Sequence, residues 1–251
     1  MDPLDFIISL AREAGTLLAD RIDGPRDIDF KQKADLVTDA DRASEALIVE
    51  RIRTNFPAAA ILGEEGGVYP GSGDERFIVD PLDGTTNYAH GYPLFCVSIA
   101  YERAGVLEAG AIYGPMIGEL YAARRGAAAT LNGNPIAVSP VASVSEALVC
   151  TGFVPSRYER NAANFATLSH TAQAVRRDGS AALDVAFVAV GRFEAFWEWD
   201  LKPWDMAAGA VIVEAAGGSV SAIDGSPLDI AGGSILATNG RTHAEMRRLL
   251  V

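Results

Sequence analysis

Two adjacent carboxylates, Glu64 and Glu65, end the apolar run Ile61-Leu62-Gly63, and a second pair, Asp80 and Asp83, follows Phe77-Ile78-Val79. Burying like charges side by side costs free energy unless a cation offsets them. Pro81 stiffens the bend between Asp80 and Asp83, and Gly84 ends it, so two carboxylates converge from one tight turn. Hard divalent cations such as Mg²⁺ take oxygen ligands and commonly use one or two carboxylates with water and phosphate oxygens. The carbonyl of Leu82 inside the bend is a further candidate ligand. Gly84-Thr85-Thr86 then reads as the start of a short helix whose first amides lack intrahelical partners, an anion cradle beside a cation site. Asp205, in Lys202-Pro203-Trp204-Asp205, begins a late helix. Each feature has a plainer explanation: a solvated turn for Glu64-Glu65, an Asp-Gly turn for Asp83-Gly84, helix capping for Asp205. Capping alone explains three acidic turns in separate regions less easily.

The charge balance leads the same way. With 33 acidic and 21 basic residues the formal net charge is −12, which argues against a broad nucleic-acid surface. The same charge would repel an anionic substrate unless bound cations reverse the local sign. At 49% hydrophobic and 22% charged residues, the chain of 251 has the composition of a folded globular protein of one large or two modest domains. Its start, Met1-Asp2-Pro3, suggests no signal or transit peptide, and no stretch reads as membrane-spanning. Cys96 and Cys150, far apart and without disulfide or zinc spacing, suit a reducing compartment; cytoplasm is the expectation. No Gly-x-Ser-x-Gly or Gly-x-Gly-x-x-Gly motif supports a serine hydrolase or a dinucleotide enzyme.

The elements that must position these groups are readable from periodicity. Apolar positions from Leu4 to Ile22 recur at helical spacing, and Ala43, Leu47, Ile48, Ile52 and Phe56 mark a second helix with Thr38 as its N-cap. Short β-rich runs follow: 76–80, 95–101, 106–113, 119–123 and 135–138, separated by turn dipeptides as in an antiparallel meander. Beyond Val144 strands and helices alternate. Strands are expected at 148–151, 193–197 and 219–223, and helices at 161–175, 181–190 and 206–216. The change of texture near residue 145 divides the chain into an α+β part, 1–145, and an α/β part, 146–251.

Leu36-Val37-Thr38-Asp39-Ala40-Asp41, Gly63-Glu64-Glu65, Asp80-Pro81-Leu82-Asp83-Gly84-Thr85-Thr86-Asn87 and Trp204-Asp205-Met206-Ala207-Ala208-Gly209 together resemble the inositol monophosphatase family of the lithium-sensitive, Mg²⁺-dependent phosphatase superfamily. They span nearly the whole chain in the family's order. The resemblance implies a layered αβαβα sandwich, dimeric, with the site between its two halves. It assigns one Mg²⁺ to Glu64, Asp80 and the Leu82 carbonyl, a second to Asp80, Asp83 and Asp205, and a third near Glu64. Thr85, hydrogen-bonded to Asp41, and Glu64 would activate water, with Asp83, Gly84, Thr85 and Asp205 around the substrate. The loop Gly179-Ser180-Ala181 and the acid Glu198 would contact its hydroxyls. The family's basic residue corresponds to Lys31 or Lys33, and its serine has no clear counterpart near Pro155-Ser156. The implied activity is hydrolysis of inositol 1-phosphate. Fructose-1,6-bisphosphatase, histidinol phosphatase and 3′-phosphoadenosine phosphatase are the enzymatic alternatives, and a regulatory binding protein on the same fold is the alternative of another class.

Overall fold

Asp2 opens the first helix, α1 (Pro3–Arg21), by accepting the Leu4 and Asp5 amides on its carboxylate, with Pro3 in the first turn where a missing N–H costs nothing. The structure, a computed structural model, describes residues 1–22, 39–153 and 158–250 in full and only the backbone of 28–32 and 35–38. The side chains of Lys31 and Thr38, together with Lys33, Pro155 and Ser156, lie outside the described residues. A hairpin of β1 (Ile28–Gln32) and β2 (Asp35–Thr38) leads into α2 (Asp39–Asn55).

Helices α1 and α2 cover one face of an eight-stranded sheet. Its strands are β3 (Ala60–Gly63), β4 (Gly67–Tyr69), β5 (Glu75–Asp83), β6 (Cys96–Arg103), β7 (Val106–Gly114), β8 (Glu119–Arg124), β9 (Thr130–Leu131) and β10 (Asn134–Pro135). The short helix α3 (Thr85–Ala89) joins β5 to β6. The order is β10-β9-β8-β7-β6-β5-β3-β4. From β5 to β10 it is the expected antiparallel meander, but β3 runs parallel to β5. The β3–β4 hairpin turns the chain back and lets it re-enter alongside β3, which periodicity within each strand could not reveal.

The second half begins with β11 (Leu148–Thr151), α4 (Tyr158–Thr171), β12 (Ala174–Arg176), α5 (Ala181–Ala189) and β13 (Ala195–Trp199). It ends with α6 (Pro203–Ala215), β14 (Ser219–Ser221), β15 (Ser234–Thr238) and α7 (His243–Leu249). Its five-stranded sheet is mixed, in the order β12-β11-β13-β15-β14. The helix expected over 161–175 stops at Thr171, because Ala174–Arg176 instead pairs in parallel with β11; strand pairing overrides a local helical pattern. Strand β15 and helix α7 were not anticipated. The apolar core of β15, Ile235-Leu236-Ala237, is too short for periodicity to define.

Helices α5 and α6 lie between the two sheets, touching strands of both, and α4 and α7 cover the outer face of the second. The layers are therefore αβαβα. Three apolar clusters fill them: Ile7, Ile48, Phe77 and neighbours under α1 and α2; Ile112, Val185, Ile212 and neighbours around the central helices; Val149, Trp197, Met246 and neighbours on the far side. Covered on both sides, α5 and α6 are apolar almost all round, as buried helices must be. They approach closely at Gly209, where a Cβ would lie 2.5 Å from Val185 Cγ1.

Candidate active site

Strand β5 delivers the first acids. Phe77, Ile78 and Val79 are buried and fix the strand; the pairing with β6 slips between Asp80 and Asp83, the bulge that Pro81 permits. Asp80, 2% exposed, turns its Oδ1 onto the Leu82 amide at 3.0 Å, while Ser44 of α2 donates to the Pro81 carbonyl at 2.8 Å. Asp83 is held from the other half of the molecule. Its Oδ2 accepts the Ser180 hydroxyl at 2.6 Å and the Ala182 amide at 2.8 Å, with the Cys96 thiol 3.7 Å away.

Asp205 arrives on α6. The structure corrects its expected place at the helix start: Lys202 is the N-cap, and Asp205 stands at the third helical position, accepting the Lys202 amide at 2.7 Å. One carboxylate oxygen each from Asp80, Asp83 and Asp205 lies within 4.8 Å of the others, a set that could hold a metal ion. Glu64, in the β3–β4 turn, is outside that set, yet near enough for its charge to oppose ionisation of Asp80 and Asp205. The Thr85 hydroxyl, which has one proton to give, lies 3.1 Å from the Leu82 carbonyl and 3.1 Å from Asp41. The contact with Asp41 is the pairing that the family resemblance implies, and Asp41 is fully buried.

Gly84 begins α3 and has no side chain to satisfy the amides that follow it. Asn87 on that helix donates to the carbonyls of Leu94 at 2.6 Å and Asp178 at 2.8 Å, tying it to the loop 178–181. A cleft of about 190 Å³ opens there, lined by Asp83, Gly179, Ser180, Ala181, Glu198 and Asp205, with Arg177 at its wall. A roomier groove of about 400 Å³ over α1 and α2 contains none of these acids. The Ser180 side chain is spent on Asp83, so its hydroxyl links the loop 178–181 to the acid cluster. Glu198 is 7% exposed, not a solvated strand acid.

The electrostatics of the cluster suit a cation. Burial first, then Glu64, Asp83 and Asp205, push the Asp80 carboxyl well above its ordinary range. Asp83 is raised by burial despite its hydrogen bonds, and Asp205 is pushed up to about 8 by burial and then by Asp83. Burial and the charges of Asp205 and Asp83 raise Glu198 well above normal, with Arg177 opposing. Burial and the neighbouring acids also raise the Cys96 thiol, leaving it a neutral donor to Asp83. Asp184, missed in the sequence, lies nearby with Cys150 and Asp178; burial and Asp178 raise its carboxyl, and its Oδ1 has no hydrogen-bond partner among the described residues. The donors around Asp80 are all oxygen, the set that a hard divalent ion prefers.

A pH dependence follows. An acid whose pKa is higher folded than unfolded binds more protons in the native state, so its presence lowers stability as pH rises from the ordinary carboxylate range through the folded pKa. For Asp205 that window ends at about 8. The chelated protein is therefore expected to melt lower at about pH 8.5 than at about pH 6, and added Mg²⁺ to raise the melting temperature more at the higher pH, with protons released on binding. Differential scanning calorimetry at both values checks this; an equal Mg²⁺ effect would count against a cation among these acids.

The layered αβαβα fold with this acidic cleft has clear relatives. The chain belongs to the inositol monophosphatase family, which it matches over residues 2–250. It is 49% identical over 221 residues to the inositol-1-monophosphatase of Synechocystis sp., covering 86% of this chain and 77% of that protein. To the Nus factor SuhB of Pseudomonas aeruginosa it is 44% identical over 247 residues, covering 94% and 91%. The crystal structure of the extragenic suppressor protein suhB from Bartonella henselae superposes with a TM-score of 0.95 at 36% identity, covering 98% of this chain and 97% of that one.

Proposed function

We propose that this chain hydrolyses a phosphate monoester of a polyol, inositol 1-phosphate foremost, using Mg²⁺ held by Glu64, Asp80, the Leu82 carbonyl, Asp83 and Asp205. The observation that carries the reading is the convergence of Asp80, Asp83 and Asp205 within 4.8 Å from two different layers of the sandwich. When bound, such ions neutralise phosphate charge, acidify a water and stabilise a leaving alkoxide. The remaining roles belong to side chains and backbone. Thr85 has one hydroxyl proton; with that proton on Asp41, its lone pairs face a water and orient it toward phosphorus. Glu64 accepts the proton that the water loses, the oxygen–phosphorus bond to water forms, and the ester bond breaks to give inorganic phosphate and an alkoxide, which takes a proton from solvent water to leave as the alcohol. The amides after Gly84 cradle the phosphate oxygens. Backbone of Gly179, Ser180 and Ala181 meets the ring hydroxyls, and Glu198 accepts from two neighbouring ones.

On this reading residues 1–145 carry most metal ligands, and 146–251 supply Asp205 and the alcohol side. The protein acts as a lithium-sensitive cytoplasmic homodimer with no nucleic-acid partner. No helix among the described residues is long and apolar enough to cross a membrane. The name of the Pseudomonas relative, a Nus factor, supports a second reading as a binding protein on this fold. The complete acid set favours catalysis, because a retired site gains nothing from mutually repelling carboxylates. Phosphate release from inositol 1-phosphate, fructose 1,6-bisphosphate, histidinol phosphate and adenosine 3′,5′-bisphosphate, with Mg²⁺ or chelator, tests the proposal. Release from inositol 1-phosphate that stops on chelation is expected; silence on all four would favour the binding protein. Glu198→Gln is expected to raise KM for inositol 1-phosphate ~10-fold or more with kcat little changed, the pattern of lost ground-state binding. A fall in kcat at constant KM would remove Glu198 from the alcohol pocket.

A further inference from the structure

Helix α2 presents three buried polar side chains on one face: Asp41, Ser44 and Glu45. Asp41 accepts from Thr85 and Ser44 donates to Pro81, so two of them already support the site. Glu45, 3% exposed, reaches the third part, the β3–β4 turn that carries Glu64. Its Oε2 accepts the Glu65 amide at 2.8 Å, and its Oε1 accepts the Gly66 amide at 2.6 Å and the Tyr69 hydroxyl at 3.0 Å. Three donors from one hairpin thus converge on one carboxylate.

The glycines of the turn carry the imprint of that carboxylate. A Cβ at Gly63 would lie 2.7 Å from Glu45 Oε2, and one at Gly66 would lie 2.6 Å from Oε1 and 1.9 Å from the Tyr69 oxygen. Neither has a positive φ; in this turn that belongs to Gly67, at +72°. Gly63 and Gly66 are therefore required by the close approach of Glu45 and not by backbone conformation. Two successive amides, one on each side of Glu65, are fixed against α2, which leaves the peptide just after Glu64 little freedom.

We infer that Glu45 is a positioning residue: by anchoring the amides of Glu65 and Gly66 to α2 it presets Glu64 to meet a divalent cation. This rests on the reading of Glu64 as a metal ligand. Partners behind a ligand hold its geometry before the ion arrives, and their removal weakens metal affinity ~10–100-fold. Glutamine in place of Glu45 keeps the shape but offers one acceptor and sets an NH₂ against a backbone N–H.

The test is a calorimetric titration of wild-type protein, Glu45→Gln, Tyr69→Phe and Glu64→Gln with Mg²⁺ alone, beside melting temperatures in chelator. Expected are a ~10-fold or greater loss of Mg²⁺ affinity in Glu45→Gln and less than ~3-fold in Tyr69→Phe, which keeps both amide bonds. Glu64→Gln should lose at least as much as Glu45→Gln. A purely structural role would lower the melting temperature of Glu45→Gln and leave its Mg²⁺ affinity at the wild-type value, and that result overturns the inference. If Glu64→Gln also binds normally, the reading of Glu64 fails instead. Should Glu45→Gln not fold, Glu45→Asp, one methylene short of the turn, is held to the same criterion.

Discussion

Replacing Asp80 with asparagine is expected to cut phosphate release by ~10³-fold or more while raising the melting temperature of the chelated protein. The two effects share one origin. Asp80 is 2% exposed, and Glu64, Asp83 and Asp205 all oppose its ionisation. Asparagine keeps an oxygen for the Leu82 amide, so the bend between Asp80 and Asp83 retains its local hydrogen bond. It removes the charge that the neighbouring acids resist, which favours the folded metal-free state. It also removes a carboxylate that would help to hold Mg²⁺, on which the proposed reaction depends. Steady-state phosphate release and calorimetry in chelator measure the two sides. A variant that is both inactive and less stable would mean that Asp80 serves the fold, and the case for a cation centred on it would fail.

Asp41→Asn carries the second-largest expectation: kcat down ~10²-fold, with stability changed far less. Asp41 fixes the direction of the Thr85 hydroxyl by accepting its proton. An amide at that position can turn its NH₂ to Thr85, and the hydroxyl proton then points away from position 41, toward the Leu82 carbonyl or the water. A hydrogen bond survives in the wrong sense, so the packing is kept and the orientation is lost. Thr85→Ser, which preserves the hydroxyl, should stay within ~10-fold of wild type. Activity and melting temperature measured together decide the matter: equal losses in both would make Asp41 an ordinary buried acid.

Much of the site was legible because its signals are local. Asp80-Pro81-Leu82-Asp83-Gly84 dictates a bend by the chemistry of adjacent residues, and the structure contains that bend as a bulge at the end of β5. Asp205 was visible as an acid in a first helical turn, but not which position of that turn it takes. Burial was harder to read. On the second helix, expected from Ala43, Leu47, Ile48, Ile52 and Phe56, Ile48 and Ile52 are buried, but the rest of the buried set on α2 is Ala40, Asp41, Ser44 and Glu45. The spacing is perfectly helical, but apolar periodicity registers only apolar residues, so the polar part of the face, Glu45 included, leaves no such signal. Glu198 was obscured for another reason. Its strand β13 is interior only because β15 pairs beside it, and nothing local announced β15. Partners remote in sequence, such as Ser180 for Asp83, leave no pattern at either end.

The acids reach the cleft on different layers: Asp80 and Asp83 on the larger sheet, Asp205 on the helix that follows β13. Before those layers dock, one strand of the larger sheet can already offer Asp80 and Asp83, but the set lacks Asp205. An ion held by all three acids would therefore fasten α6 to the larger sheet and act as a latch between layers, since a ligand that binds the docked state more tightly than the open one stabilises it by mass action.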